Sequence, residues 1–307
     1  MLNITDKNLL DKISDFSAIP VGASYNIRKN GAGIERSCTE KVQITNKTDK
    51  PGIDITILPD TKDEKVYIPV IITEEGVSDK VYNDFYIGEN ADVTIIAGCG
   101  IHNSGCNESR HEGIHRFFIG KNAKITYIEK HYGEGEGTGE RILNPETVVY
   151  MEENSVCEME SVQIKGVDST KRNTVAHLGK NAKFIVTERL MTHGNQTADS
   201  DMTIELNGEG ASAQIISRSV AKDNSKQIFY PKAVGNAPCS AHVQCDSIIM
   251  DNAGIRSIPE IAANHAEAAI IHEAAIGRIN NEQLLKLMTF GMDEAEAEEI
   301  IIQGFLN

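Results

Sequence analysis

The stretch Gly120-Lys121-Asn122-Ala123-Lys124-Ile125-Thr126-Tyr127-Ile128 joins a short turn to a run of β-branched and aromatic residues. The same turn and strand recur at residues 88–96 and 179–186, and weaker copies begin at Glu153 and Gly208. Positions 91, 123, 155, 182 and 211 are equivalent, and the spacings between them are 32, 32, 27 and 29 residues. Glycine and asparagine tolerate left-handed backbone angles, so each copy turns the chain and then starts a strand. Spacings of this size are typical of solenoid coils, and the sequence therefore predicts a β-helix.

The surrounding region, from Val42 to about Val220, consists of short β-rich runs separated by Gly, Asn and Asp. Such runs predict a mainly β fold. The alternative architecture is a β-sandwich, whose strands follow one another more evenly, at about 8–12 residues. The longer repeat spacing favours the β-helix.

A helical pattern precedes this β region. Leu9, Leu10, Ile13 and Phe16 have helical spacing, and Pro20 stops the helix shortly afterwards. The sequence therefore predicts one short amphipathic N-terminal helix.

Two further helices are predicted at the other end of the chain. The apolar face of the first consists of Leu284, Leu287 and Met288. Gly291 ends that helix, and Asp293 with Glu296 forms a capping box for the second. The expected apolar residues of the second helix are Ala297, Ile300, Ile301 and Phe305. We therefore divide the chain into an N-terminal helix and lead-in (1–40), a β-helix core (41–275) and a C-terminal helical segment (276–307).

The composition argues against several classes of partner. Lys and Arg number 30 and Asp and Glu 45, giving a formal net charge of −15 that repels a nucleic-acid backbone. No apolar run approaches the roughly 18 residues of a membrane helix, and the N-terminus lacks the features of a signal peptide. We therefore expect a cytoplasmic protein that binds neither nucleic acid nor membranes and keeps its six cysteines reduced.

The string His111-Glu112-Gly113-Ile114-His115 matches the zinc-peptidase pattern of two histidines one helical turn apart with a glutamate base between them. That pattern requires a helix, whereas Gly113 and the strand-like residues 117–119 predict extended chain. On a strand, positions four apart are separated by about 13 Å. A zinc-dependent hydrolase using His111, Glu112 and His115 is therefore the weaker alternative function.

The same stretch concentrates residues that bind iron or zinc. They are Cys99, His102, Cys106, His111 and His115. These side chains would suit a metal if the segment folded back on itself, although their spacing matches no zinc knuckle. They form a second-choice metal site. The neighbouring glycine-rich residues 131–139 lack the Gly-Lys-Ser/Thr ending of a phosphate-binding loop, so we expect no ATP binding by the chain itself.

Cys245 and, 27 residues later, His272-Glu273 supply a thiol, an imidazole and a carboxylate. These groups are suitable iron ligands. Taken alone, a cysteine and a His-Glu pair at this separation are a weak signal, and a buried thiol with a surface charge explains them better.

Several longer stretches resemble the SufB/SufD family of SUF iron–sulfur cluster assembly proteins. Near the C-terminus they are residues 242–247 (His-Val-Gln-Cys-Asp-Ser), 258–260, 271–274, 279–284 and 304–305. Upstream they are residues 25–28, 98–100 and 166–170. The matches follow one another in the family's order over nearly the whole chain, so the resemblance is more specific than any single motif.

The resemblance implies a right-handed parallel β-helix with a short N-terminal helix and a C-terminal helical segment. It also implies that the C-terminal segment binds the ABC-type ATPase SufC, so that ATP acts only through this partner. The subunit is expected to pair with itself as a homodimer, or with a SufB/SufD paralogue. A sulfur donor and the apo-proteins that accept finished clusters are further implied partners.

In SufB-type subunits the matching cysteine and His-Glu pair take part in assembling the nascent cluster. The resemblance therefore assigns Cys245 as sulfur acceptor and Cys245, His272 and Glu273 as ligands of iron in a transient iron–sulfur cluster. Cys99 resembles the position at which sulfur enters longer SufB proteins. We expect a non-enzymatic scaffold of an ATP-driven assembly complex, with a non-catalytic SufD-like assembly subunit as the main alternative.

Overall fold

The computed structural model describes residues 2–14 and 22–306. The strands between Ser24 and Gly277 form a parallel β-helix built from two sheets. Sheet A contains, in spatial order, β2 (Ala32–Ser37), β1 (Ser24–Lys29), β5 (Lys62–Ile72), β7 (Asp92–His102), β9 (Lys124–Glu134), β12 (Val156–Lys165), β14 (Lys183–Thr192), β16 (Ala211–Ala221), β18 (Cys239–Ile249) and β21 (Ala268–Gly277). Sheet B contains β19 (Gly254–Ser257), β17 (Lys226–Gly235), β15 (Thr197–Leu206), β13 (Ser169–Leu178), β10 (Arg141–Leu143), β8 (Ser109–Ile119), β6 (Ser78–Ile87), β4 (Gly52–Ile57) and β3 (Val42–Asn46), with β11 (Glu146–Met151) beside β8 and β13, and β20 (Glu260–Ala263) beside β17.

From β5 onward each coil consists of one strand of sheet A and one strand of sheet B, except that the sheet B side is split into two short strands at β10 with β11 and at β19 with β20. Successive coils stack with parallel, nearly continuous register. Among the described strands, the antiparallel pairs are β1 with β2 and β3 with β4, both at the N-terminal end. The predicted mainly β fold with a parallel β-helix is therefore confirmed. Strands β1 and β2 lie within the region 1–40 that the sequence assigned to helix and lead-in.

The repeated turn motif forms one corner of the solenoid. Its asparagines stack as a ladder in which each side-chain amide donates to the side-chain oxygen of the preceding coil. The donor and acceptor pairs are Asn90 to Asp60 (3.0 Å), Asn122 to Asn90 (3.1 Å), Asn154 to Asn122 (3.2 Å) and Asn181 to Asn154 (3.1 Å). All five residues have φ between 54° and 59°, the left-handed region that asparagine and aspartate tolerate. In the next coil Gly210 takes this position, where a Cβ atom would lie 2.2 Å from Oδ1 of Asn181.

Most of the interior is apolar and close-packed. Phe85, Phe117 and Phe184 are fully buried, and the rings of Phe85 and Phe117 stack with centroids 4.3 Å apart. This packing of alternate side chains from both sheets is what the hydrophobic strand pattern predicts.

The N-terminal end carries helix α1 (Ile4–Ser14), whose residues Leu9, Leu10 and Ile13 are buried. The helix lies directly on β7, because a Cβ atom at Gly98 would lie 2.5 Å from the carbonyl oxygen of Ile13. Gly98 is thus required for close packing of the helix. The predicted helical residue Phe16 and the stop at Pro20 lie outside the described residues.

The C-terminal helices are α2 (Asn281–Met288) and α3 (Glu294–Leu306). The predicted capping box is present, because the backbone N–H of Asp293 donates to Glu296 at 3.0 Å and that of Glu296 donates to Asp293 at 2.9 Å. None of the described helices is long and apolar enough to cross a membrane.

The buried face of α3 differs from the predicted one. Ala297 is buried as expected, but Ile300 is 46% exposed, and Ile302 and Leu306 pack against the solenoid instead. Consecutive isoleucines at 300–302 span more than half of the helix circumference. The sequence pattern therefore does not predict which side of the helix is buried. Contact with Val220 and its neighbours buries Ile302.

The asparagine ladder gives a test of the corner. Replacing Asn122 by alanine removes two ladder hydrogen bonds and places a Cβ-bearing residue without a compensating side chain at φ 56°. We expect the free energy of unfolding, measured by urea titration, to fall by about 1–2 kcal/mol. Asn122→Gly relieves the backbone and should lose less, and the exposed neighbour Lys121→Ala should be neutral. Equal losses for the alanine and glycine variants would contradict the backbone argument.

Candidate functional site

Cys245 lies on the inner face of β18, in the coil before the last one. Alternate side chains of a strand point to the same face, so Cys245 shares the interior with Val243 and Ser247. Its backbone is in register with Ser217 on β16 and Ala274 on β21. The side chain is only 2% exposed. The thiol is therefore covered, although a single coil separates it from the end of the solenoid.

His272 provides that cover from the last strand of sheet A. Its backbone is in register with Val243, one inward position before Cys245. The imidazole Nε2 lies 3.5 Å from Sγ of Cys245. The structure thus brings together two of the three assigned ligands, with Cys245 buried and His272 partly exposed on the last strand.

Both groups of this pair are neutral near pH 7. Burial raises the pKa of the Cys245 thiol; contact with the Ser257 hydroxyl opposes the rise, and Asp246 and Glu188 add to it. Burial also lowers the pKa of His272, against the effect of the Glu273 carboxylate. The pair is therefore a thiol beside a neutral imidazole, which offers a lone pair to a metal ion or to the thiol proton.

Glu273 lies on the opposite face of β21, because neighbouring residues of a strand point to opposite sides. Its carboxylate Oε1 is 3.1 Å from Nε2 of His242, and both side chains are open to solvent. Glu273 therefore does not meet Cys245 and His272 within one chain.

An inward row of polar side chains in sheet A leads to Cys245. In register from β9 to β16 it contains Glu129, Ser161, Glu188 and Ser217. From Glu129 to Cys245 the spacings are 32, 27, 29 and 28 residues, close to those of the turn motif. Projecting the repeat from Cys245 back along the chain would have found this row.

Side chains of sheet B bind the two carboxylates of the row. Arg172 Nη1 on β13 lies 2.5 Å from Oε2 of Glu129, and the Ser200 hydroxyl donates to Oε2 of Glu188 at 2.8 Å. Burial by itself would raise the pKa of Glu129, but Arg172 and His131 outweigh it and hold this pKa well below its usual range. The interior therefore contains the buried ion pair Glu129–Arg172 and the hydrogen-bonded pair Glu188–Ser200.

The fold separates the residues of the second-choice metal site into different environments. Cys99, His111 and His115 line an interior cavity of about 20 Å³, together with Glu129 and His131. A space of this size holds about one water molecule. His102 lies outside this cavity, with its Nδ1 3.3 Å from Glu134, and Cys106 is exposed in a loop.

Each histidine of the interior cavity has its own environment. His111 Nδ1 lies 3.2 Å from Oδ2 of Asp79, which Arg28 also binds. Burial lowers the pKa of His115 to about 4, and its buried Nδ1 has no hydrogen-bond partner among the described residues. Among residues 2–14 and 22–306, no three His, Cys, Asp or Glu side chains are arranged to hold a metal ion.

The strand conformation also separates the zinc-peptidase residues. His111 and His115 lie on the buried inner face of β8, whereas Glu112 points outward, 3.2 Å from Lys80. Glu112, the glutamate base of the zinc-peptidase pattern, is thus on the opposite face of the sheet from both histidines. Nothing in this arrangement supports hydrolysis.

Comparison with known proteins identifies the family of the chain. The family model described as SUF system FeS cluster assembly, SufBD core domain, matches residues 73–305. An iron–sulfur cluster assembly SufBD family protein of Methanocaldococcus jannaschii is 33% identical over 239 residues, which cover 76% of this chain and 74% of that protein. A SufBD family protein of Archaeoglobus fulgidus is 29% identical over 275 residues, 89% of this chain and 73% of its own length. A third, from Methanothermobacter thermautotrophicus strain Delta H, is 26% identical over 242 residues, which cover 78% of this chain and 58% of that protein. The chain therefore belongs to the SufBD family and takes part in iron–sulfur cluster assembly.

Proposed function

We propose that this chain is a scaffold on which iron–sulfur clusters are assembled, with Cys245 and His272 as ligands of the nascent cluster. The observation that carries the proposal is the 3.5 Å contact between Cys245 Sγ and His272 Nε2 at the end of the inward polar row. The cluster is cargo of the protein. Iron and sulfur arrive from donors, and apo-proteins accept the product.

The chemistry of the two ligands suits transient binding. A thiolate binds iron and sulfide-bridged clusters firmly, whereas a neutral imidazole is a harder ligand that exchanges more readily. Binding of iron displaces the thiol proton, and the neutral His272 needs to lose none. Cys99 is not a ligand in this proposal, because five strand spacings, roughly 24 Å, separate β7 from β18.

Two ligands from one chain leave a cluster incomplete, and we propose that a second copy supplies the rest. Strand β21 ends sheet A, so its outer edge has unpaired backbone groups next to His272. Ile271 on the same strand is 62% exposed, and Glu273 is nearby. Two copies related by a twofold axis at this edge place two Cys-His pairs, and both Glu273 carboxylates, in one interface.

The C-terminal helices are the proposed docking site for a SufC-like ATPase. The predicted face with Leu287 and Met288 is half-buried, whereas Leu285 and Phe290 are 60% and 72% exposed. Since α3 anchors this pair to the solenoid through Ile302 and Leu306, the exposed side chains are held in a fixed position. Exposed apolar groups on a fixed element are typical of protein interfaces.

A SufD-like role, in which the chain supports assembly without binding the cluster, is the second candidate. It is favoured by the position of Glu273, which faces away from the Cys245–His272 pair. The two functions differ in one measurable property, the binding of iron and sulfide at Cys245.

We expect Cys245→Ser to abolish cluster formation, because the hydroxyl keeps the size of the thiol but is a poor ligand for iron. Iron and acid-labile sulfide per subunit, measured after anaerobic reconstitution, report the loss. His272→Ala should reduce both strongly, and Glu273→Ala should reduce them less. The buried Cys157→Ser is the control and should bind as the parent does. A full cluster in Cys245→Ser would place the ligands elsewhere in the chain, whereas a parent protein that binds no cluster would favour the SufD-like role.

The proposed dimer is tested at the edge strand. Ile271→Lys places a charge on the exposed apolar surface beside β21, and we expect sedimentation to change from dimer to monomer at micromolar concentration. Ile164→Lys introduces the same charge at a 40% exposed isoleucine in the middle of sheet A and should leave the dimer intact. A parent protein that sediments as a monomer would contradict the proposal.

The proposed docking surface is tested with the double variant Leu285→Asp and Phe290→Asp. Both side chains are exposed, so the β-rich circular dichroism should not change. Binding to a SufC-like ATPase, measured by co-purification, should fall at least tenfold, the equivalent of about 1.4 kcal/mol. Ile4→Asp, at a 79% exposed residue of α1, is the matched control. Retained binding in the double variant would place the ATPase elsewhere.

A further inference from the structure

Strands β18 and β21 hold a second pair of side chains on the outer face of sheet A. His242 of β18 and Glu273 of β21 both point away from the interior, and Nε2 of His242 lies 3.1 Å from Oε1 of Glu273. On the inner face the same two strands hold the Cys245–His272 pair. Each face of the last two strands of the sheet therefore holds two side chains of the kinds that bind iron.

The two pairs differ in the metal chemistry that they favour. A thiolate is the usual ligand of iron–sulfur clusters, whereas imidazole and carboxylate together bind ferrous iron that carries no sulfide. The inner pair contains the thiol, and the outer pair contains only nitrogen and oxygen ligands. The outer pair therefore suits iron at the stage before sulfide is added.

The separation of the outer pair also fits a metal ion. Nitrogen and oxygen ligands bind small divalent ions at about 2.1 Å, and neighbouring positions of an octahedral ion form angles of about 90°. Two ligand atoms in such positions are therefore about 3.0 Å apart. The separation between Nε2 of His242 and Oε1 of Glu273 is 3.1 Å. Binding of one ion by both atoms thus requires little movement of either side chain.

These two side chains have no competing partner. Within residues 2–14 and 22–306, the side chains of His242 and Glu273 form no hydrogen bond or ion pair except with each other. The next outward residues of β18, Gln244 and Asp246, bind each other, with the Gln244 amide donating to the Asp246 carboxylate at 2.6 Å. The outer pair is also open to solvent, so an ion reaches it without any change of the fold.

Two other surface pairs of histidine and glutamate are engaged elsewhere. Glu134, which lies 3.3 Å from His102, also binds Nζ of Lys12 at 2.7 Å. The ring of His177, which contacts a glutamate of the next coil, stacks on Tyr150 with centroids 5.0 Å apart. The outer pair of β18 and β21 differs from both, because its groups are unengaged and its strands also hold the Cys-His pair.

We propose that His242 and Glu273 bind a ferrous ion on the outer face of sheet A before that ion joins the cluster at Cys245. The inference rests on the proposed scaffold function and deepens it, because it separates the place where iron is received from the place where iron meets sulfur. It assigns His242, which the proposed function leaves without a role, as a ligand of iron. It also gives Glu273 a partner within its own chain.

The arrangement favours weak binding close to the cluster ligands. Two protein ligands leave most positions of the ion to water, so the ion exchanges readily. The iron stays ferrous, and no electron is transferred in this step. Strand β21 is the last strand of sheet A, so one strand separates the two pairs and no further strand of the described chain covers its edge. An ion released from the outer pair is therefore one strand away from the inner pair.

The test measures Fe²⁺ binding without sulfide, in the full chain carrying Cys245→Ser. This background removes the thiol, and anaerobic equilibrium dialysis gives the dissociation constant of the remaining site. Loss of a group that only supports a metal ligand weakens binding by roughly tenfold or more, and loss of a ligand should cost at least as much. We therefore expect His242→Ala and Glu273→Gln, each added to this background, to raise the dissociation constant by about tenfold or more.

The matched control is His177→Ala in the same background, which removes an exposed histidine–glutamate contact from sheet B and should leave the dissociation constant unchanged. All these side chains are at the surface, so the β-rich circular dichroism should not change. An unchanged dissociation constant in His242→Ala would reduce the contact to a hydrogen bond and overturn the inference. Equal weakening in His177→Ala, or no Fe²⁺ binding in the background itself, would also overturn it.

This experiment is separate from the test of the proposed function. Weaker Fe²⁺ binding in the His242→Ala variant, combined with a full cluster in Cys245→Ser, would support the outer site and reject Cys245 as the cluster ligand. Unchanged Fe²⁺ binding in the His242→Ala variant, combined with no cluster in Cys245→Ser, would reject the outer site and leave the scaffold role intact.

Discussion

The in-register hydrogen bonding of parallel strands between successive coils is the constraint on which the rest of the molecule depends. Except at the ends, each strand of the solenoid pairs with the strand one coil before it and the strand one coil after it. Since side chains alternate between inside and outside, a fixed register places residues one coil apart directly above one another. The asparagine ladder at the corner helps to hold this register, because its amides meet only when the coils are aligned.

This stacking turns a repeat in the sequence into columns in space. The column that ends at Cys245 brings Glu129 and Glu188 into the interior of a protein whose core is mostly apolar. Charges are buried at a high free-energy cost unless they are paired, and here the opposite sheet supplies Arg172 and Ser200 as partners. The polar interior is therefore a specific construction, in which removal of one partner would leave the other unsatisfied.

In the proposed scaffold role, the position of Cys245 near the end of this column gives a covered thiol access to an exchangeable cargo. A thiol in the middle of the solenoid, such as Cys157, is enclosed by strands on both sides, and burial raises its pKa well above the usual value of a thiol. Cys245 has one strand between it and the end of sheet A, and that strand carries His272. Movement of a single edge strand exposes the sulfur, whereas exposure of Cys157 requires the solenoid to open.

The sequence by itself determined the β-helix, because the spacing of the Gly-Asn turns is a local property that backbone sterics convert directly into corners. It also determined the capping box of α3, and family resemblance supplied Cys245 and His272 as the proposed ligands. Other features were decided only by the tertiary structure. Glu273 is next to His272 in sequence but lies on the other face of the strand, which depends on which face the register turns inward. The helical pattern of α3 did not select its buried side, because three consecutive isoleucines surround most of the helix. The partners of the polar row, Arg172 and Ser200, could not be chosen from the chain alone, because they lie on the opposite sheet and meet the row only when both sheets close around one interior.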